Sequence, residues 1–251
     1  MKKFAAITSM DYKYYRECGK FMLISYDKYW KSIMPLYLYN EDNFIPSVDS
    51  IICQGWDLGN DYQNFQQRHT NNRVKTFSKK AFSIIHAMNN IECDRLIWID
   101  ADVVINSKIH VQLLDLISDD SVLSTHFSVW HDWPDEQYPD RVAHSCETGF
   151  FILNKNHRLF TAFKNTYTDI YVNDKTQDMR RFYDGEVYGK TVDILEKQGA
   201  KMLNLNPGLH KTPISRSILS PYMEHFKAGL KNKIFNIEKD KKKKQKEKAK
   251  A

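Results

Sequence analysis

The sequence predicts an α/β fold in which a mostly parallel central sheet is flanked by helices. Three observations predict it. Short apolar runs of strand length alternate with longer stretches of helical apolar spacing. One of those runs, Leu96-Ile97-Trp98-Ile99, is apolar at every position, as a strand covered on both faces by helices is expected to be. With 42% hydrophobic residues and 13% aromatic ones, a chain of 251 residues can bury a substantial core.

The elements follow in order. Phe4–Thr8 reads as a first strand, with Thr8-Ser9-Met10-Asp11 as the loop leaving it. An aromatic-rich helix is expected over Tyr14–Trp30, then a second strand at Pro35–Asn40, closed by the polar Glu41-Asp42-Asn43. Ser50–Gln54 reads as a third short strand before the turn Gly55–Gly59. Phe77, Ala81, Ile84, Ile85 and Met88 recur at helical spacing, and the strand Leu96–Ile99 follows. Beyond it the expectation is a helix near Val111–Ile117, a strand at Ser121–Ser124, a polar and aromatic loop over His126–His144 and a strand at Gly149–Leu153. Helices around Leu159–Tyr171 and Glu186–Gln198 and a strand near Lys201–Leu205 complete the series. No internal repeat and no linker rich in Gly, Pro or Ser divides the chain, so one domain over residues 1–237 is expected, followed by a Lys-rich tail at 238–251.

The charge is unevenly spread. The tail carries eight lysines against Glu238, Asp240 and Glu247, a balance of +5 out of the formal +6, and so leaves residues 1–237 at about +1. A nearly neutral body excludes a broad nucleic-acid footprint. The tail itself reads as a disordered, solubilising end with at most a weak attraction to an anionic membrane surface. Cys18, Cys53, Cys93 and Cys146 are far apart and form no Cys-x-x-Cys pair, the pattern of reduced thiols in a cytoplasmic protein. No run reaches transmembrane length, and the apolar stretch after Lys2-Lys3 is too short for a signal peptide.

Chemistry concentrates where the apolar strand ends. Asp100-Ala101-Asp102 sets two carboxylates one residue apart at the carboxyl end of an expected parallel strand, the edge where α/β sheets bind ligands. Buried charges there need compensation, and a shared hard cation such as Mg²⁺ or Mn²⁺ supplies it. The arrangement points to a metal–nucleotide site.

The motif, placed some ninety residues beyond the first strand, resembles that of metal-dependent glycosyltransferases of the glycosyltransferase-A (GT-A) fold, a Rossmann-like domain. The likeness spans about residues 3–231 and rests on a few short motifs. It implies a nucleotide-binding half over about 1–110 and an acceptor half over about 111–237. It implies that Asp100 and Ala101 face the donor, that Asp102 holds the metal with Asp100 beside it, and that Mn²⁺ or Mg²⁺ and a nucleoside-diphosphate sugar, expected to be UDP-linked, are bound. The segment His225-Phe226-Lys227-Ala228-Gly229-Leu230-Lys231 is similar to the family's late His-x-x-x-Gly-x-x-Lys-like signature. By that likeness His225 completes the metal shell while Lys227, Gly229 and Lys231 meet the diphosphate. His210 is the competing third ligand. Thr8, Ser9 and Met10 would wrap the base, Tyr12, Tyr14 or Tyr15 would stack on it, and Lys80 of Phe77-Ser78-Lys79-Lys80 would reach base or phosphate.

An inverting transferase also needs a carboxylate to deprotonate the acceptor hydroxyl. Asp184 comes first, Glu147 next and Glu186 third, each beside a Gly turn or an apolar strand; alternatively Glu147 binds sugar hydroxyls and Glu186 caps a helix. The loop with Trp130, His131, Asp132, Trp133 and Tyr138 looks suited to a glycan acceptor. Two other readings compete. Asp100-Ala101-Asp102-Val103-Val104 also fits haloacid dehalogenase-like phosphatases, although their motif follows the first strand and the later acidic pair is misplaced here. A catalytically idle nucleotide-sugar or glycan-binding module is the non-enzyme reading.

Overall fold

The computed structural model describes residues 2–128, 145–175, 183–206 and 214–226. The loop Trp130–Tyr138, His210, Lys227, Gly229, Lys231 and the Lys-rich tail lie outside the described residues.

The expected α/β architecture is present, built on a seven-stranded sheet. Its strands are β1 (Phe4–Met10), β2 (Leu36–Asn40), β3 (Ile52–Gln54), β4 (Arg95–Ile99), β6 (Leu123–Ser128), β7 (Ser145–Asn154) and β8 (Met202–Asn204), in the order β3-β2-β1-β4-β7-β6-β8. Every neighbouring pair is parallel except those made by β7, which runs antiparallel to β4 and to β6. The helices are α1 (Tyr12–Tyr14), α2 (Lys20–Tyr29), α3 (Gly59–Arg68), α4 (Asn72–Asn90), α5 (Val111–Leu116), α6 (Phe160–Val172) and α7 (Asp184–Glu196), and a π-helical turn, Tyr15–Gly19, joins α1 to α2.

Strand alternation explains why both faces are covered. On β4, Leu96 and Trp98 enter one apolar cluster with residues of α3, α4, α6 and α7, while Ile97 and Ile99 enter a second with residues of α2 and α5. On β7, Phe151 and Leu153 face the first cluster, and Phe150 and Ile152 the second. All five residues of β4 are buried. The rings of Trp98 and Phe151 stack across the β4–β7 pair at 6.4 Å, and truncating either would cost roughly 3–5 kcal/mol.

Several expectations are corrected. Thr8, Ser9 and Met10 belong to β1 rather than to a loop, because parallel pairing with β2 continues to Met10 opposite Asn40. The helix α3 was not foreseen: Phe65 is its one buried residue, so it has no apolar stripe to read. The helix expected over Tyr14–Trp30 is interrupted by the π-turn. β6 runs on to Ser128 past a register shift between Thr125 and His126, so His126 is a strand residue and not a loop residue. The apolar run after the Asp pair forms β5 (Val103–Ile105), which pairs antiparallel with β9 (Met223–His225) in a small second sheet. Among the described residues no helix is long and apolar enough to cross a membrane. None of the four cysteines is in a disulfide; Cys18 and Cys146 are buried.

Candidate active site

The site gathers at the carboxyl end of β4. Asp100 is fixed there by its backbone N–H, which donates to the Gly149 carbonyl at 2.8 Å, and by a tight turn in which the Val103 N–H donates to the Asp100 carbonyl at 3.0 Å. Ala101 is buried inside that turn. The turn sends the chain into β5, whose first residue, Val103, stands opposite His225 in the register with β9. The Phe226 N–H then donates to the Asp102 carbonyl at 2.9 Å. Strand pairing therefore closes a gap of 123 residues in sequence and sets the imidazole against the acidic pair.

His225 Nε2 lies 3.1 Å from Asp102 Oδ1 and 4.0 Å from Asp100 Oδ2. One ligand atom from each of Asp100, Asp102 and His225 falls within 4.8 Å of the others. These residues fit a divalent cation. In an octahedron with bonds of about 2.1 Å, adjacent donors stand about 3.0 Å apart and opposite donors about 4.2 Å. Two carboxylates and one imidazole also form a donor set suited to Mn²⁺ or Mg²⁺.

The surroundings support the cluster. Tyr14, delivered by α1, donates its hydroxyl to Asp102 Oδ2 at 3.0 Å. That helix begins at Asp11, whose side chain caps it by accepting from the Tyr14 N–H at 2.6 Å. Trp98 donates its indole N–H to Asp100 Oδ1 at 2.6 Å. On the other side, Glu147 Oε1 stands 3.3 Å from His225 Nδ1, an ion-pair contact that is not aligned as a hydrogen bond.

Lys80 projects from α4, a helix capped by Asn71, whose side chain accepts from the Arg73 N–H. The lysine is buried, and its ammonium sits 2.8 Å from Asp100 Oδ1, 2.8 Å from Asp184 Oδ2 and 2.7 Å from the Thr148 carbonyl. The contacts with Asp100 and the Thr148 carbonyl are hydrogen bonds, and that with Asp184 is an ion pair. Within the chain Lys80 thus ties Asp100 to Asp184. Asp184, at the first turn of α7, also accepts from the Thr148 hydroxyl at 2.5 Å and from the Gly185 N–H at 3.0 Å.

Burial and charge set the protonation. Burial works to lower the pKa of Lys80, but Asp100 and Asp184 overcome it and hold the ammonium charged, above its ordinary range. Burial likewise works against the ionised form of Asp184, and Lys80 outweighs it, so the carboxyl titrates below its usual range. Asp100 is pushed up, first by burial and then by Asp102, with Lys80 opposing. For His225 burial acts downward, but the contacts with Asp102 and Glu147 win and raise it to about 10. Four carboxylates, on Asp100, Asp102, Glu147 and Asp184, thus face one ammonium and one imidazole, and the cluster has a deficit of positive charge even with His225 protonated.

The remaining sequence candidates fall as follows. Thr8 and Met10 are buried and Ser9 half-buried, so these residues do not form an open loop around a base. Tyr12 is 49% exposed, and its ring meets those of Tyr15 at 6.4 Å and Phe44 at 6.0 Å, an aromatic ledge at α1, the helix that delivers Tyr14 to Asp102. Glu186 is half-buried in the first turn of α7, with its backbone N–H donating to the Tyr183 carbonyl. The sequence reading did not assign Trp98 or Thr148 to the site. Trp98 was accessible to reasoning, since it lies two residues before Asp100 and hence on the same face of the strand.

No family model matches the chain, and no curated protein matches its sequence. Solved structures do match. An active-site variant of LgtC aligns over 89% of this chain and 87% of its own, with a TM-score of 0.56 and 12% identity. The galactosyltransferase LgtC in complex with donor and acceptor sugar analogues aligns over the same shares with a TM-score of 0.53 and 12% identity. Mouse xyloside xylosyltransferase 1 aligns over 81% of this chain and 85% of its own, with a TM-score of 0.52 and 9% identity. The fold is that of GT-A glycosyltransferases.

Proposed function

We propose that this chain is a metal-dependent glycosyltransferase that moves a sugar from a nucleoside-diphosphate donor, UDP-linked by the sequence likeness, to a hydroxyl on a glycan or other acceptor. The observation that carries the reading is the convergence of Asp100, Asp102 and His225 at the carboxyl end of β4, in a fold shared with solved glycosyltransferases. Asp100, Asp102 and His225 would hold a divalent cation, which would supply positive charge to offset the negative charge developing on the departing diphosphate.

The chain's own residues do the rest. Tyr14 fixes the Asp102 carboxylate through Oδ2 and leaves Oδ1 turned toward His225. Trp98 and Lys80 together hold Asp100 by Oδ1 and leave Oδ2 on the side of the imidazole. Lys80 links that carboxylate to Asp184, and so to the first turn of α7. A carboxylate kept ionised below its usual range is a weak proton acceptor, so Asp184 suits the orientation of donor hydroxyls better than general-base catalysis. Tyr12, Tyr15 and Phe44 offer the aromatic surface for a base. Lys227, Gly229 and Lys231 stay assigned to the diphosphate, and the Trp130–Tyr138 loop to the acceptor, on the sequence likeness alone.

The test is a thermal-shift screen of nucleoside diphosphates and nucleotide sugars, each with and without Mn²⁺. Ligand that binds the native state at a hundred times its Kd stabilises by about 2.7 kcal/mol. A shift that needs both nucleotide and metal and is lost in Asp102→Ala is expected. A folded protein that responds to no nucleotide, or that releases phosphate from simple esters instead, would overturn the reading.

A further inference from the structure

We infer that Glu147 is the orienting carboxylate of the metal-binding histidine: it receives the Nδ1 edge of His225 and so turns Nε2 toward Asp100 and Asp102. The inference rests on the reading that this cluster holds a divalent cation.

The geometry sets the ring between two acidic edges. Nε2 meets Asp102 at 3.1 Å and Asp100 at 4.0 Å, while Nδ1, on the opposite edge, meets Glu147 at 3.3 Å. The imidazole and the Glu147 side chain are 10% and 15% exposed, so water does not readily replace this contact. Below the ring lies Gly149, where a β-carbon would come within 2.7 Å of Cε1 and Nδ1. The strand β7 thus contributes both the space, at 149, and the carboxylate, at 147, which alternation places on the same side. Asp184 is engaged elsewhere, by Lys80, the Thr148 hydroxyl and the Gly185 N–H.

The chemistry follows from imidazole having a single N–H when neutral. If Nε2 gives its lone pair to a cation, the proton must sit on Nδ1, and that nitrogen becomes a donor in search of an acceptor. Glu147 is placed to be that acceptor. A partner of this type fixes the tautomer and the ring plane, and its loss typically costs about 10–100-fold in metal affinity. Glu147 is therefore a positioning residue, which acts on the metal through His225, and the sequence reading of Glu147 as a proton-accepting base gives way to this one.

The experiment titrates Mn²⁺ alone into the full-length protein by calorimetry, without nucleotide, and compares wild type with Glu147→Ala, Glu147→Gln and Asp102→Ala. Melting in EDTA checks that each variant folds. The expected result is a 10–100-fold rise in Kd for Glu147→Ala and recovery of most of that loss in Glu147→Gln, whose amide oxygen still accepts from Nδ1. If Glu147→Ala does not fold, a Kd for Glu147→Gln within about tenfold of wild type supports the inference, and a loss as deep as that of Asp102→Ala overturns it. Unchanged binding in Glu147→Ala, with binding lost in Asp102→Ala, overturns the orienting role while leaving the metal reading intact. Failure of Glu147→Gln to recover any affinity also overturns it, since charge and not orientation would then be the contribution. No Mn²⁺ binding by wild type overturns both.

Discussion

A β-carbon at position 149 would stand 2.7 Å from both Cε1 and Nδ1 of His225, so the imidazole reaches the acidic pair because Gly149 has no side chain. The ring is the part that can move, and moving it takes Nε2 away from Asp102. Gly149→Ala is expected to weaken Mn²⁺ binding by tenfold or more, about 1.4 kcal/mol, while lowering stability by a smaller amount. Calorimetric titration beside a urea melt checks it; a variant that binds Mn²⁺ like wild type would show that the ring is not confined as described.

Gly185 is tight for a different reason. Its absent β-carbon would meet the Cys146 backbone carbonyl at 2.3 Å, a group in the middle of the sheet that cannot swing aside. Gly185→Ala is expected to destabilise the fold by about 1–3 kcal/mol or more. At Gly55 nothing lies within 4 Å, and Gly55→Ala is expected to fall within about 0.5 kcal/mol of wild type. Parallel denaturant melts measure both, and equal effects at the two positions would contradict the packing.

Lys80 is the sole described ammonium between Asp100 and Asp184. Lys80→Met leaves two half-buried carboxylates without the ammonium they share, and breaking such a pair costs up to about 3–5 kcal/mol. The sign with pH is set by Asp184. Its carboxyl is held below the usual range in the folded protein, so the stability it lends is present above the unfolded pKa and fades as acid protonates it. Without Lys80 the carboxylates are destabilised when charged, and protonation relieves them. The deficit of Lys80→Met relative to wild type is therefore expected to be largest at neutral pH and to shrink as pH falls toward 4. Urea melts at pH 7 and pH 4.5 decide it; an equal deficit at both would rule out the charge argument.

What the sequence made visible is what depends on neighbours along the chain. The all-apolar β4 with its terminal Asp100 and Asp102 was legible because strand and carboxylates are adjacent, and the approach of His225 was legible through a short motif. The role of Lys80 was not, because its ammonium is defined by Asp184, which packs from a different helix more than a hundred residues later. α3 was hidden because Phe65 is its one buried residue and its other contacts, through Tyr62, Gln66 and Arg68, are made to distant parts of the chain. The β5–β9 pair was hidden because three residues per strand carry no period. Thr8 and Ser9 look like loop residues, yet pairing with β2 keeps them in a strand, a case of tertiary contact overriding local composition.

His126 gives the last prediction. It is fully buried on β6 opposite Glu147, and among the described residues neither ring nitrogen has a well-formed hydrogen bond. Burial dominates and lowers its pKa to about 4, with Glu147 and the Phe150 backbone pulling weakly the other way. The unfolded chain takes up this proton near pH 6.5 and the folded chain only near 4, so between those values the unfolded state binds more protons and stability falls with falling pH. A difference of that size is on the order of 3 kcal/mol, complete below about pH 4 and absent above about pH 7. Replacing the ring by an apolar side chain removes the titration and leaves no buried polar atom in its place. His126→Leu is therefore expected to match or exceed wild type at pH 5 while differing little at pH 8. Urea melts across pH 4.5–8 measure the two curves, and parallel curves would mean that His126 is already charged, or already hydrated, in the folded protein.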